Sequence, residues 1–377
     1  MMDRLNFLRS EIDKIDQSLL NLLSKRLSLV SQVGEIKSQL GLFIYDPERE
    51  KMILSQRKQE ALKLGISPNL VRDILRRIMR ESYSYENEKG FKKLYPSSRP
   101  VVIIGGNGRM GQFFFKMLTL SGYQVRILDQ DDWIHAKSIL TNVGVVFISV
   151  PIYSVIKVIN QLPHLSNDCI IVDLSSVKKS SLTAILKIHT GPVLGLHPMF
   201  SPDTTITASM IKKVVICCDG RYPQEYQWLL QQLKLWGAKV YYCNFIEHDK
   251  YMSFIQSLCH FTIFVMGYHL FKENIDLKKI LSFSSPMFQL ELILIGRLFT
   301  QNPQLYADII MSSKNNIIVI KRYYKRLGKM LMLLEQNNKE EFINQFKKIK
   351  CWLDSYAGIF LKDSSNLLKY INDIQEY

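Results

Sequence analysis

The chain has 377 residues, too many for one ordinary hydrophobic core, so two or three domains are expected. A hydrophobic content of 47% with 11% aromatic residues excludes general disorder. The 49 Lys and Arg against 34 Asp and Glu give a net charge of +15, but the cations are scattered, which favours compositional drift and anionic small substrates over nucleic acid.

From Asp3 to Leu40 apolar residues recur in steps of three and four: Leu5, Leu8, Ile12, Ile15, Leu19, Leu22, then Leu29, Val33, Ile36 and Leu40. This spacing predicts one unusually long helix with a continuous apolar seam. No short domain covers such a seam alone, so a partner chain is implied. At position 26 the repeat asks for an apolar residue and supplies Arg26. Lys37 follows eleven positions later, within about 20° of the same direction. Two cations on a packed seam are costly unless an anion meets them; the alternative is that both snorkel at an interface edge. Arg9 points about 100° away from Arg26 and is better placed for a different site, one on the partner. Gly41 ends the helix, and Asp46-Pro47-Glu48-Arg49-Glu50 opens a second with a cap, a first-turn proline and early acids. After Leu64-Gly65-Ile66-Ser67-Pro68, a third helix runs from Asn69 to Tyr83.

Leu8-Arg9, Ser24-Lys25-Arg26, Gly34-Glu35-Ile36-Lys37 and Asp46-Pro47-Glu48-Arg49-Glu50 together resemble the all-helical chorismate mutase family of enteric bacteria. The resemblance implies an intertwined homodimer. Arg26, Lys37 and Arg49, with Arg9 of the other subunit, would bind the two carboxylates of chorismate; Glu50 would hold its hydroxyl, and Ser82 would lie in the pocket. The implied reaction is an intramolecular rearrangement, which needs a held conformer and stabilised charge on the ether oxygen but no nucleophile. Where the best-known member faces that oxygen with glutamine, this chain has Glu86, which donates a hydrogen bond only when protonated.

Lys89 to Pro100 is polar and reads as a linker. Val101-Val102-Ile103-Ile104 then leads directly into Gly105-Gly106-Asn107-Gly108-Arg109-Met110-Gly111, an apolar helix to Leu120, and a strand from Gln124 to Leu128 that ends at Asp129. Strand, glycine loop, helix and a following acid form a dinucleotide fingerprint. Gly106, Gly108, Arg109, Met110 and Gly111 would approach a pyrophosphate, and Asp129 would take ribose hydroxyls, favouring NAD over NADP. Further strands are expected at Val145 to Val150, Cys169 to Leu174, Val193 to His197, Val214 to Cys218 and Lys239 to Cys243, with a helix from Pro223 to Trp236. This is a doubly wound α/β domain whose ligands bind beyond the strand ends, near Ser149, Asp173 to Lys178 and His197.

Gly195-Leu196-His197-Pro198-Met199-Phe200, with Ser149-Val150-Pro151 and Asp173-Leu174-Ser175-Ser176-Val177-Lys178, looks like the prephenate dehydrogenase family. With the helical segment ahead of it, the whole chain is similar to the enteric fusion of the two enzymes. The resemblance implies NAD-dependent oxidative decarboxylation of prephenate to 4-hydroxyphenylpyruvate, a step of tyrosine biosynthesis. His197 would deprotonate the ring hydroxyl, so activity should fall at acid pH. Ser149 and Lys178 would orient the histidine or cofactor and shape the site. An arogenate-preferring dehydrogenase, or loss of one activity, is the alternative within enzymes; a basic nucleic-acid-binding dimer is the rival from another class.

From Glu247 onward the chain turns helical. Tyr251 to Phe271 lacks Asp, Glu, Lys and Arg and is long enough to cross a bilayer. Its Ser, Gln, Thr and His residues favour a helix buried inside a domain. The family uses this region as an all-helical dimerisation domain that completes the dehydrogenase site. Arg297 matches the arginine that binds the ring carboxylate, and His260 the histidine tied to feedback inhibition by tyrosine. Gln289 stands where a near relative in the family carries an arginine, and the segment Ser201 to Lys213 is slightly longer than the family's pattern. The six cysteines show no CxxC pair or metal spacing, so no metal is expected. The N-terminus carries no apolar signal segment, and a reduced, cytoplasmic protein with no membrane partner is expected. The predicted fold class is multidomain: an all-α domain over 1–90, a linker over 91–100, a Rossmann-like α/β domain over 101–245 and an all-α dimerisation domain over 246–377.

Overall fold

The computed structural model describes residues 1–95, 97–201 and 209–374. Two compact units meet in sequence at Phe245 and Ile246. The first unit opens with α1 (Met2–Leu40), α2 (Pro47–Lys63) and α3 (Pro68–Glu88). Gly41 stops α1 in the left-handed conformation at φ 72°, which glycine adopts without a Cβ penalty. Asp46 caps α2 by accepting the Arg49 backbone N–H, and Pro47 supplies the first turn. The third helix runs five residues beyond Tyr83, the expected end, to Glu88. Its last turns carry Ser82, Glu86 and Asn87 as buried polar residues, so the apolar period that predicts a helix is missing there.

Only Gly34 of α1 is buried within the chain. Leu8, Ile12, Ile15, Leu19, Leu22, Leu29, Val33 and Ile36 all stay exposed. Each apolar side chain of that size left in water forgoes about 1.5–3 kcal/mol, and the stripe as a whole exceeds the net stability of an ordinary domain.

The α/β part is a seven-stranded sheet of order β2-β1-β3-β4-β5-β6-β7. The strands are β1 (Val101–Ile104), β2 (Val125–Leu128), β3 (Val145–Ile148), β4 (Ile170–Asp173), β5 (Val193–Pro198), β6 (Val214–Arg221) and β7 (Lys239–Tyr242). Alternation of side chains builds two cores. Val101, Ile103, Val145 and Phe147 face α4 (Arg109–Leu120) and a helix at Gln227–Leu235. Val102, Ile104, Val146 and Ile148 face helices at Ile152–Gln161 and Lys178–Ile188. The first five strands are mutually parallel, whereas β6 runs antiparallel to β5 and β7 follows β6. A parallel return needs a crossover, and among the described residues no helix joins β5 to β6.

The polar stretch after α3 is packed chain. Phe91 is buried in the same core as α4, its N–H bonded to Leu120 O at 3.1 Å. Tyr95 stacks on Trp228 at 4.4 Å, and Gln232 takes the N–H of Leu94. Ile44, from the turn after α1, joins that core as well.

The second unit is all helical. A continuous helix from Phe245 to Lys272 carries a π-helical turn at Ser253–Leu258. Ser257 Oγ donates to Ile309 O at 3.1 Å and Asn315 Nδ2 to Ser253 Oγ at 2.8 Å, which pins the turn to its neighbours. Gly267 admits the helix Pro286–Phe299, since a Cβ there would lie 2.5 Å from the Phe299 ring. The helix Phe245–Lys272 is long and apolar enough to cross a membrane, yet only 6% of its most apolar window is buried in this chain. The expected burial inside a domain is therefore not met within one copy.

Candidate active sites

The first cluster is built by a glycine. A Cβ on Gly34 would fall 2.9 Å from Glu86 Cα, so only glycine lets α1 and α3 cross this closely. The crossing places Lys37, one turn later, against Glu86. Lys37 Nζ donates to Glu86 Oε2 at 2.8 Å and to Ile44 O at 2.9 Å. Arg26 donates to Ser82 Oγ, which in turn donates to Ile78 O at 2.7 Å. Arg26 and Lys37, the two cations expected on one face, thus meet Ser82 and Glu86 on α3. Burial pushes the Glu86 carboxyl above the ordinary carboxylate range, outweighing the opposing pull of Lys37 and Arg26.

Glu50 turns to other partners. Its carboxylate accepts from Tyr83 Oη at 3.0 Å and from Lys212 Nζ at 3.0 and 3.1 Å. Burial, with the Glu50 charge second, drives the Tyr83 hydroxyl pKa up, so Tyr83 stays a donor. Tyr83 and Lys212 were not among the sequence candidates; no local pattern marks either. Arg49 and Arg9 are both exposed on their helices.

The second cluster lies at the carboxyl ends of the parallel strands, where strand order reverses at β1. Gly105 adopts φ 77°, and a Cβ on it would sit 2.5 Å from Ser149 O. A Cβ on Gly111 would sit 2.4 Å from Gly105 O, so loop and helix pack with no side chain between them. Gly108 caps α4 without a side-chain hydrogen bond, so the helix N-terminus, with its dipole, begins directly at the glycine loop. Asp129, at the end of β2, accepts the N–H of Asn107 at 3.0 Å and so stands against this loop. A backbone cradle beside a carboxylate fits a dinucleotide. Met110 packs partly into the core. Ser149 closes β3, its N–H bonded to Ile104 O at 2.8 Å.

His197 is buried near the end of β5, paired in register with Ile216. Lys178 is fully buried. Its ammonium donates to Asp173 Oδ2 at 2.6 Å and Asp173 O at 2.9 Å, and the same Oδ2 accepts from Ser175 and Ser181. Gly195 leaves room for the lysine stem, whose Cδ would lie 3.0 Å from a Cβ there. Lys178 therefore holds the turn after β4 from inside the domain. Lys178→Met leaves a buried carboxylate without its cation and is expected to lower stability by about 3–5 kcal/mol. Denaturant titration checks this, with Asp173→Asn added to Lys178→Met recovering part of the loss. The longer segment after His197 lies mostly outside the described residues.

In the second unit, the His260 ring meets the Tyr306 ring edge-on at 4.9 Å, and burial raises the Tyr306 hydroxyl pKa against the opposing charge of Arg297. Burial holds the His260 ring below the usual histidine range. The unit thus gathers His260, Tyr306 and Arg297, of which Tyr306 was not expected. Gln289 Nε2 donates to Ser284 O at 3.4 Å.

Three family models match the chain: chorismate mutase type II over 8–87, the nucleotide-binding domain of prephenate dehydrogenase over 125–242, and its dimerization domain over 246–348. A T-protein of Enterobacter agglomerans is 53% identical over 373 residues, 99% of each chain. A T-protein of Haemophilus influenzae is 48% identical over 376 residues, 100% of this chain and 99% of that one. Among solved structures, prephenate dehydrogenase from Aquifex aeolicus, in complex with hydroxyphenyl propionate and NAD+, aligns with a TM-score of 0.55 at 21% identity. It covers 68% of this chain and 97% of its own, a likeness of fold.

Proposed function

Because this chain belongs to the T-protein family, we propose that Arg26, Lys37, Ser82 and Glu86 carry its first reaction and His197 its second. The protein is a bifunctional enzyme of tyrosine biosynthesis. It rearranges chorismate to prephenate, then converts prephenate to 4-hydroxyphenylpyruvate by NAD-dependent oxidative decarboxylation. The observation that carries the site assignment is two half-buried cations meeting buried polar groups of α3: Lys37 paired with Glu86 and Arg26 bonded to Ser82.

In the mutase, domain 1–90, Arg26 and Lys37 neutralise substrate carboxylates and Lys37 faces the charge that grows on the ether oxygen. Glu50 receives the hydroxyl of chorismate, Arg49 adds a carboxylate contact, and Arg9 serves the site of a second copy. The exposed seam of α1 supports that homodimer. Glu86 assists as the neutral acid. Its raised pKa means that the protonated form persists above the pH at which an exposed glutamate ionises. Mutase turnover is therefore full below that raised value and falls as pH rises through it. Glu86→Gln should flatten the pH–rate profile in chorismate-loss assays; an unchanged slope rejects the assignment.

In the dehydrogenase, domain 101–245 completed by 246–377, NAD supplies the hydride acceptor. Gly106, Gly108, Arg109, Met110 and Gly111 cradle its pyrophosphate and Asp129 its ribose. His197 takes the proton of the prephenate ring hydroxyl as carbon dioxide leaves. Ser149 orients that site, Lys178 positions its wall, and Arg297 binds the ring carboxylate. His260, with Tyr306, serves inhibition by tyrosine. The apolar face of Phe245–Lys272 is covered by a second copy, in line with the dimerization-domain match over 246–348. Thiols throughout suit a cytoplasmic enzyme. Chorismate supplied with NAD tests the whole reading: chorismate should disappear and NADH appear, and mutase turnover without NADH rejects the dehydrogenase half.

A further inference from the structure

We propose that Lys212, a residue of the nucleotide-binding domain, is a positioning residue of the mutase site, fixing the Glu50 carboxylate that receives the chorismate hydroxyl. This rests on the reading of Glu50 given above. Lys212 lies just before β6, on the segment that returns from His197. Its ammonium reaches both oxygens of Glu50, at 3.0 and 3.1 Å, and stands 4.8 Å above the Tyr45 ring at the entrance to α2.

The lysine is not a loose surface cation. Its backbone sits at φ 62°, a left-handed conformation that a non-glycine residue adopts only where its surroundings impose it. The Lys212 N–H is bonded to Gly237 O at 3.1 Å, Lys213 O accepts from Lys239 at 2.8 Å, and Met210 is fully buried. The segment is pinned to the sheet, and the ammonium is delivered from a fixed base.

Glu50 is only 11% exposed, against 47% for Lys212, so the carboxylate is the constrained partner. A carboxylate offers about four lone-pair directions. Tyr83 takes one and the two contacts of Lys212 take two more, which leaves one for a hydroxyl donor. Lys212 thus orients Glu50 and restricts it to a single further donor. The mutase pocket is complete only with the nucleotide-binding domain in place.

The test uses the full-length enzyme with Lys212→Met, Lys212→Arg, Glu50→Gln and the double variant Glu50→Gln/Lys212→Met, assayed by chorismate loss. Lys212→Met should raise KM for chorismate about tenfold with kcat little changed, the size expected for one charge-assisted contact. Lys212→Arg should restore most of it, and the double variant should be no worse than Glu50→Gln alone. A KM unchanged in Lys212→Met, or losses that multiply in the double variant, overturns the proposal alone. A silent Glu50→Gln removes the reading of Glu50 and the proposal together.

Discussion

His197→Asn should stop NADH formation from prephenate while chorismate loss continues at the parental rate. Asparagine is close to histidine in size and keeps a polar tip, so the buried end of β5 is preserved, but its amide cannot take a proton near neutral pH. If His197 is the base, turnover falls by about 10²–10⁴-fold, the range general-base catalysis supplies. The mutase serves as an internal control in the same tube, because none of the groups proposed for it lies on β5. Full dehydrogenase turnover in His197→Asn would refute the assignment. The base must also be neutral to act, so parental dehydrogenase activity should decline toward acid pH while the mutase, with its neutral Glu86, declines in the opposite direction. Measuring both rates on one preparation across pH shows whether the optima separate.

Lys37→Met should remove mutase activity by about 10²–10³-fold in kcat, the loss expected when a donor aimed at developing negative charge is deleted. Stability should change far less than in Lys178→Met, although each lysine pairs with an acid. Burial already raises the Glu86 pKa, so losing Lys37 lets it take a proton more readily than an exposed glutamate does. Asp173 is buried without any exposure in a network of ammonium and hydroxyl donors, so removing Lys178 takes the cation out of a closed polar cluster. The two substitutions separate by readout: kcat for Lys37, unfolding midpoint for Lys178. A Lys37→Met enzyme with parental kcat would show that the cation only binds.

Much of this was legible because periodicity reports burial. The seam of α1 and the alternating strands follow directly from where apolar residues stand, and the glycine loop from where side chains cannot. Legibility ends where polar residues are buried. The last turns of α3 escape the pattern because Ser82 and Glu86 face Arg26 and Lys37. Asp173 to Lys178 reads in sequence as part of a ligand site at a strand end, and only the fold shows that the Asp173–Lys178 pair is closed inside the domain. Strand direction is likewise silent in a run such as Val214 to Cys218, since alternation is the same either way up. Long-range partners are the most hidden: Glu50 and Lys212 are 162 positions apart, and nothing local to either names the other. The Ser, Gln, Thr and His residues of the apolar stretch before Lys272 point to an interior helix, but nothing in one sequence says whether its own chain or a second copy supplies the cover.

The packed stretch after α3 sets terms for anyone wishing to divide the fusion into two separately expressed enzymes. Composition suggests cutting anywhere between Lys89 and Pro100. The contacts of Phe91, Leu94 and Tyr95 say that these residues belong to the downstream fragment, as a strap across its helices. A break before Gly90 would keep the strap; a break after Tyr95 would strip Trp228 of its stacking partner and leave Phe91 dangling from the upstream piece. The fragment boundary that looks most permissive in sequence is thus the one most prone to yield insoluble halves.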